Sequence, residues 1–132
     1  MDYRDYYESA HKGGKLVEEG KHDDAIAVFH ALVESDISDL DKANMCYNVA
    51  ICCEKLNLFD DALRWYDAGV AYEQPYLRFN ISEHKAFFLS NRGRDSEALA
   101  IYESLYRQPY LTEIDKERIW KNITVLRNPR PK

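Results

Sequence analysis

The side chains able to do covalent or metal chemistry are few and scattered. Histidines stand at His11, His22, His30 and His84, and cysteines at Cys46, Cys52 and Cys53. His22-Asp23-Asp24 places an imidazole beside two carboxylates, the makings of a metal fragment. Consecutive residues on a helix point in different directions, however, and a metal needs converging ligands. The stretch reads instead as a turn running into the first turn of a helix. Cys52-Cys53 is an adjacent pair without the C-x-x-C spacing of a zinc or thioredoxin-like site. Cys46 and Cys53 lie two helical turns apart on a face shared with Val49 and Ala50, which reads as small core residues. The chain contains no G-x-S-x-G, P-loop, H-E-x-x-H or dinucleotide-binding fingerprint. No catalytic residue, metal or cofactor is expected, and the chain reads as a non-enzyme.

The elements that would carry these residues repeat. Gly20-Lys21-His22-Asp23-Asp24-Ala25-Ile26, Asn57-Leu58-Phe59-Asp60-Asp61-Ala62-Leu63 and Gly93-Arg94-Asp95-Ser96-Glu97-Ala98-Leu99 share one order: a turn-former, an acidic stretch, alanine, a large aliphatic. The alanines are separated by 37 and 36 residues, and each is followed four positions later by Phe29, Tyr66 or Tyr102. Twelve residues before each alanine stands Gly13, Ala50 or Ala86. Small residues at fixed points on two successive helices let the axes approach closely, and the aromatic one turn on fills the space where they diverge. Gly20 and Gly93 fall where a helix must stop, and glycine enters the left-handed region at little cost. The acidic residues then meet the positive end of the next helix dipole.

Apolar stripes at helical spacing run through every segment, as in Ala62, Leu63, Tyr66, Gly69 and Val70, and none alternates as a half-buried strand does. The periodicity predicts helices near 5–19, 22–35, 42–56, 60–73, 76–91, 95–107 and 112–126. The last begins at a capping-box-like Thr112…Asp115 and carries Ile119, Trp120, Ile123 and Leu126 on one side. It suits the terminal cap of a stack of repeats. Trp65 is expected between helix pairs or at their edge, and Trp120 as the anchor of the capping helix. The tail 127–132, with Pro129 and Pro131, is expected to fray.

Composition agrees with a globular domain: 132 residues, 45% hydrophobic and 31% charged. No apolar run approaches the ~20 residues of a membrane helix, and residues 1–30 lack a basic segment followed by an apolar one, so no secretory signal and no membrane partner is expected. An odd cysteine count without such a signal argues for reduced thiols and a cytoplasmic setting. The initial Met1 and the basic tail suggest a complete small protein. Net charge is −5, with 14 acidic against 7 basic residues over 1–66 and 9 against 11 over 67–132. An acidic surface repels phosphates, so nucleic acid is disfavoured; the basic end could attract an acidic peptide.

Helix–turn–helix units with this small–aromatic spacing resemble tetratricopeptide (TPR) repeats, whose unit is about 34 residues. The resemblance covers repeats at about 6–36, 43–74 and 79–110, and Pro109 falls near the proline that usually ends a repeat. It departs at the family's early tryptophan position, which holds Ser9, Cys46 and Ser82, and in linkers two or three residues longer than usual. It implies a single all-α domain over 1–132: a right-handed superhelical stack of antiparallel helix pairs, about seven helices in all. It also implies a concave groove lined by the first helix of each pair. Carried over position by position, the partner-binding residues are Tyr7, His11, Asn44, Tyr47, Asn48, Ile51, Lys55, Asn80, Glu83, His84, Phe87 and Asn91, with Ala10, Gly14, Val17, Glu54 and Ser90 beside them. Phe87 is placed toward the groove and its neighbour Phe88 toward the core. One TPR subfamily clamps a C-terminal carboxylate with lysines, asparagines and an arginine. Here Asn48 matches, but Ala10, Gly14, Asn80 and His84 occupy the other positions, and that clamp is rejected.

The function implied is a non-enzymatic interaction module that binds a peptide or partner protein in the groove. The alternative is a self-associating, dimeric scaffold or a secretion-type chaperone for an unfolded client. Tyr3, Tyr6 and Tyr7 bear on the dimer: they could expose an apolar patch at the open end of the stack or simply cover the first helix pair.

Overall fold

In each of three helix pairs the chain reverses through a residue with positive φ: Gly20 at 75°, Asn57 at 61° and Gly93 at 76°. The same hydrogen bond follows each time, from Lys21 N–H to Leu16 O (2.8 Å), Leu58 N–H to Cys53 O (2.8 Å) and Arg94 N–H to Leu89 O (2.9 Å). This six-to-one bond satisfies a carbonyl the helix end would otherwise leave unpaired. Asn57 does without a glycine because asparagine tolerates the left-handed region better than other side chains. The computed structural model describes residues 1–128, and in it these reversals join α1 (Tyr3–Glu18) to α2 (His22–Val33), α3 (Asp39–Lys55) to α4 (Phe59–Glu73), and α5 (Asn80–Asn91) to α6 (Asp95–Tyr106). α7 (Glu113–Arg127) follows. The fold is all-α, with no strand among the described residues.

Starts are fixed by sequence too. The Asp2 carboxylate accepts from Arg4 N–H at 3.1 Å, and Ser38 Oγ from Asp41 N–H at 3.2 Å. Thr112 and Asp115 form the reciprocal box, at 3.1 and 3.2 Å. The second helices of the pairs have no side-chain cap but carry Asp23 and Asp24, Asp60 and Asp61, or Asp95 and Glu97 in their first turns, where the helix dipole favours negative charge.

Packing divides the chain into two compact units, Met1–Ile81 and Ser82–Lys132, the second described through Asn128. In the first, α1 packs on α2, α2 on α3 and α3 on α4. Ala25, Cys46, Val49, Ala50 and Ala62 are sealed from solvent, with Phe29, Cys52, Cys53 and Tyr66 nearly so. A Cβ on Gly69 would lie 3.0 Å from Ile81 Cδ1, so that helix approach admits glycine and little more. In the second unit α6 packs on α7, and Ala86, Phe88, Leu89, Ala98, Tyr102, Ile119 and Ile123 are buried.

Three expectations need correction. The fifth helix starts at Asn80, not at 76, because Gln74–Tyr76 form a 3-10 turn containing Pro75 and Leu77 adopts a left-handed conformation at φ 59°. Trp120 does not anchor the last helix from inside. It is 46% exposed, lies 5.3 Å from the Tyr106 ring and has the Arg127 guanidinium 5.6 Å from its own, while Ile119 and Ile123 face the interior. Arg127 does not fray: it ends α7 and pairs with Glu103 at 2.8 Å. Asn128 N–H donates to Thr124 O at 3.0 Å, and the remaining residues of the expected frayed tail, 129–132, lie outside the described residues.

The restart at Asn80 has a partner far back in the sequence. Glu73 is 3% exposed, and both its carboxylate oxygens accept from Ile81 N–H, at 3.0 and 3.2 Å. Removing the acceptor strands a buried amide. Glu73→Ala should therefore lower stability by about 1.5–3 kcal/mol, the range for a hydrogen bond to a charged group, and Glu73→Gln by less. Urea unfolding checks this: the midpoint should fall at unchanged slope.

Candidate functional site

Side chains four apart on a helix stack into rows, and α1 carries two rows of opposite character. Tyr7, His11 and Lys15 form a polar row; beside it, Ala10 and Gly14 form a row almost without side chains. A Cβ placed on Gly14 meets nothing within 4 Å. Next to it Gly13 is filled from outside, since the Phe29 ring of α2 occupies the space its side chain would need.

The result is a hollow of about 450 Å³ lined by Ala10, Gly14, Val17 and Glu18 of α1, Phe29 of α2, and Tyr47, Asn48, Ile51 and Cys52 of α3. Its walls are mainly apolar, with the Asn48 amide and the Glu18 carboxylate among them. A second hollow of about 390 Å³ adjoins it, lined by Tyr7, Ala10, His11, Gly14, Lys15 and Glu18. The two share Ala10, Gly14 and Glu18.

One wall is stiffened from behind. The Tyr66 hydroxyl donates to Glu54 Oε2, and the Tyr66 and Tyr47 rings sit 6.3 Å apart at 60°. Burial, then the bonded Glu54 carboxylate, pushes the Tyr66 phenol far above its ordinary range; burial also raises Tyr47, with the Glu54 charge adding to it. Both remain protonated donors at neutral pH. Tyr66→Phe should loosen this wall and lower stability by about 1.5–3 kcal/mol, the range for a hydrogen bond to a charged group, as thermal melting would show.

Of the twelve expected partner-binding residues, the hollows gather Tyr7, His11, Tyr47, Asn48 and Ile51. Asn44, Lys55 and Asn80 are exposed in the first unit but line neither hollow. Glu83, His84, Phe87 and Asn91 belong to the second unit. There Phe87 is 59% exposed and Phe88 buried. Glu83 is committed within the chain: Arg118 of α7 donates to both its oxygens at 2.6 and 3.0 Å, and also to Asp115 at 3.0 Å. Those carboxylates hold the guanidinium firmly protonated. Sequence reasoning missed Lys15, Glu18, Phe29 and Cys52 as lining residues. Phe29 was legible only as a packing residue, although the glycine pair Gly13-Gly14 beside it signals a place where side chains are withheld.

The cysteines are buried and free of disulfides. Burial pushes the Cys46 thiol up to about 11 and raises Cys52 and Cys53 as well, so none offers the thiolate that nucleophilic attack or metal binding requires. Among the described residues no group of three or more His, Cys, Asp or Glu is placed to hold a metal ion, and no helix is long and apolar enough to cross a membrane.

Comparison with known proteins gives a family and a fold. The family model of a domain of unknown function, DUF6340, matches residues 11–107. No curated protein matches the sequence. Among solved structures, PcrH from Pseudomonas aeruginosa is similar at a TM-score of 0.73 and 21% identity, over 96% of this chain and 95% of that one. The type III secretion chaperone SycD of Yersinia enterocolitica, in complex with a peptide of the translocator YopD, is similar at 0.73 and 19%, again over 96% and 95%. PcrH in complex with the chaperone binding region of PopD gives 0.72 and 21%, over 96% and 94%. At these identities the likeness establishes a shared TPR-like helical fold.

Proposed function

We propose, for a chain that belongs to the DUF6340 family, that it is a non-enzymatic protein-interaction module whose α1–α3 hollow grips a peptide segment of another protein. The observation that carries this reading is the Ala10/Gly14 gap. An apolar hollow of about 450 Å³ is kept open because α1 withholds side chains where a Cβ would meet only space. A bulky apolar side chain of a ligand fits there, and the Asn48 amide can both donate to and accept from the ligand backbone. The fold neighbours PcrH and SycD are solved with peptide regions of PopD and YopD, which supports a secretion-type chaperone for an unfolded client as the narrower form of this reading. The three helix pairs are taken as TPR-type repeats of one domain. The reduced, buried thiols fit a cytoplasmic setting, and no cofactor, metal or nucleic acid enters the reading.

The test is selection from a random dodecapeptide display library on the immobilised full chain. Peptides with a large apolar anchor should be enriched by the natural chain and lost on a Gly14→Leu variant. No enrichment, or enrichment that Gly14→Leu leaves intact, contradicts the reading.

A second reading rests on Tyr3 and Tyr7, which are 63% and 57% exposed and meet edge-on at 4.7 Å between ring centroids. They would seat a second copy of the chain, and the fold neighbour SycD is solved as a dimer. Light scattering over a concentration series decides it. A rise toward twice the monomer mass that Tyr3→Ser abolishes supports self-association; monomer throughout rejects it.

A further inference from the structure

The hollow between α1 and α3 poses a packing problem. How closely two helices approach depends on the side chains at their contact, and apolar surface is driven out of water. A row as small as Ala10 and Gly14 should let α1 settle toward α3 and close the space, so something must hold it off. Followed one turn toward the N-terminus, that row reaches Tyr6, four residues before Ala10. Tyr6 is 8% exposed, and its hydroxyl donates to the Asp41 carboxylate in the first turn of α3. Asp41 belongs to the opposite wall in the same way: it stands seven residues before Asn48, two turns along one face of α3. Both residues are anchored in their own helices. Tyr6 N–H donates to Asp2 O at 3.0 Å, and Asp41 N–H to Ser38 Oγ at 3.2 Å. Burial, then the Asp41 charge, raises the Tyr6 phenol to about 12, so it keeps its proton at neutral pH. A large side chain thus bridges α1 and α3 where the small row begins.

We infer that Tyr6 and Asp41 form a strut: their bond fixes the separation of α1 from α3 and keeps the hollow wide enough for a bulky anchor. They are positioning residues, since neither lines the hollow. The inference rests on the peptide-binding reading and adds what sets the size of side chain the hollow accepts. With the bond broken, α1 can settle over Ala10 and Gly14, and large anchors lose their place before small ones do.

The test measures two peptides by anisotropy. One is a dodecapeptide selected on the natural chain; the other has valine in place of its large apolar anchor. On Tyr6→Phe and on Asp41→Ala the large-anchor peptide should bind about tenfold more weakly, as the loss of one hydrogen bond provides. The valine peptide should change by less than about twofold. Asp41→Asn keeps an acceptor for the phenol and should restore the natural ratio. Combined in one chain, Tyr6→Phe and Asp41→Ala should cost no more than either alone, because they remove the same bond. Melting checks that each variant is folded at the assay temperature. Equal weakening of both peptides marks a general loosening and overturns the inference. So does a large-anchor affinity that neither substitution changes, or an Asp41→Asn chain that behaves like Asp41→Ala. Each of these outcomes leaves the peptide reading standing. Selection that yields no Gly14-dependent peptide overturns both.

Discussion

Replacing Gly14 with leucine should leave the chain folded, raise its melting temperature and weaken peptide binding by one to two orders of magnitude. The two effects have separate causes. A glycine inside a helix costs about 1 kcal/mol relative to a good helix former, and the structure offers a new side chain at this position open space rather than a clash. That space is the hollow itself, so the leucine takes the place of the ligand's anchor. Full burial of such an anchor is worth about 1.5–3 kcal/mol, which corresponds to roughly ten- to a hundredfold in affinity. Thermal melting and the anisotropy of a labelled selected peptide read the two effects independently. A variant that is more stable and still binds normally would place the ligand elsewhere.

The neighbouring glycine should behave in the opposite way. A Cβ on Gly13 would stand 2.4 Å from Phe29 Cε1 and 2.7 Å from Cζ, well inside van der Waals contact. The Phe29 ring is 3% exposed and lines the hollow, so its way out leads into the binding space. Overpacking of this kind costs about 1–3 kcal/mol, offset in part by the better helix propensity of alanine. Gly13→Ala should therefore lose up to about 2 kcal/mol of stability by these two terms and narrow the hollow as well. Phe29→Leu, introduced into that background, should restore stability, because the clash belongs to the pair. A double-mutant cycle measures this coupling; additive effects would show that Gly13 and Phe29 do not constrain each other.

Adjacent glycines with opposite consequences mark the limit of what the sequence discloses. The helix pairs were legible because local features announce them three times: Gly20, Asn57 and Gly93 at the reversals, with alanine and an aromatic at matching positions after each. The capping box at Thr112 and Asp115 was legible for the same reason, since both partners lie within four residues. Partners distant in sequence were not. Glu73 reads as an ordinary acidic residue at a helix end until the 3-10 turn brings Ile81 N–H to it. Glu83 reads as a groove residue until Arg118, 35 positions later, folds back onto it. Family position indicates which side of a helix a residue occupies, not what another helix will offer it. Trp120 failed for a related reason: a large aromatic suggests an anchor, but adjacent Ile119 and Ile123 already fill the interior side of α7, and the indole is left against Tyr106 and Arg127. For the hollow, Tyr47, Asn48 and Ile51 were expected only from the resemblance to TPR repeats. The part played by Phe29 required knowing that Gly13 has no side chain to hold the ring away.

The central claim is that a peptide lies between α1 and α3, and amide chemical-shift mapping during titration with a selected peptide tests it most directly. The account predicts saturable shifts concentrated at Ala10, Gly14, Val17, Asn48 and Ile51, absent from the Gly14→Leu protein. Shifts confined to the exposed side of α7 around Ile114 and Val125, with α1 and α3 unmoved, would contradict it.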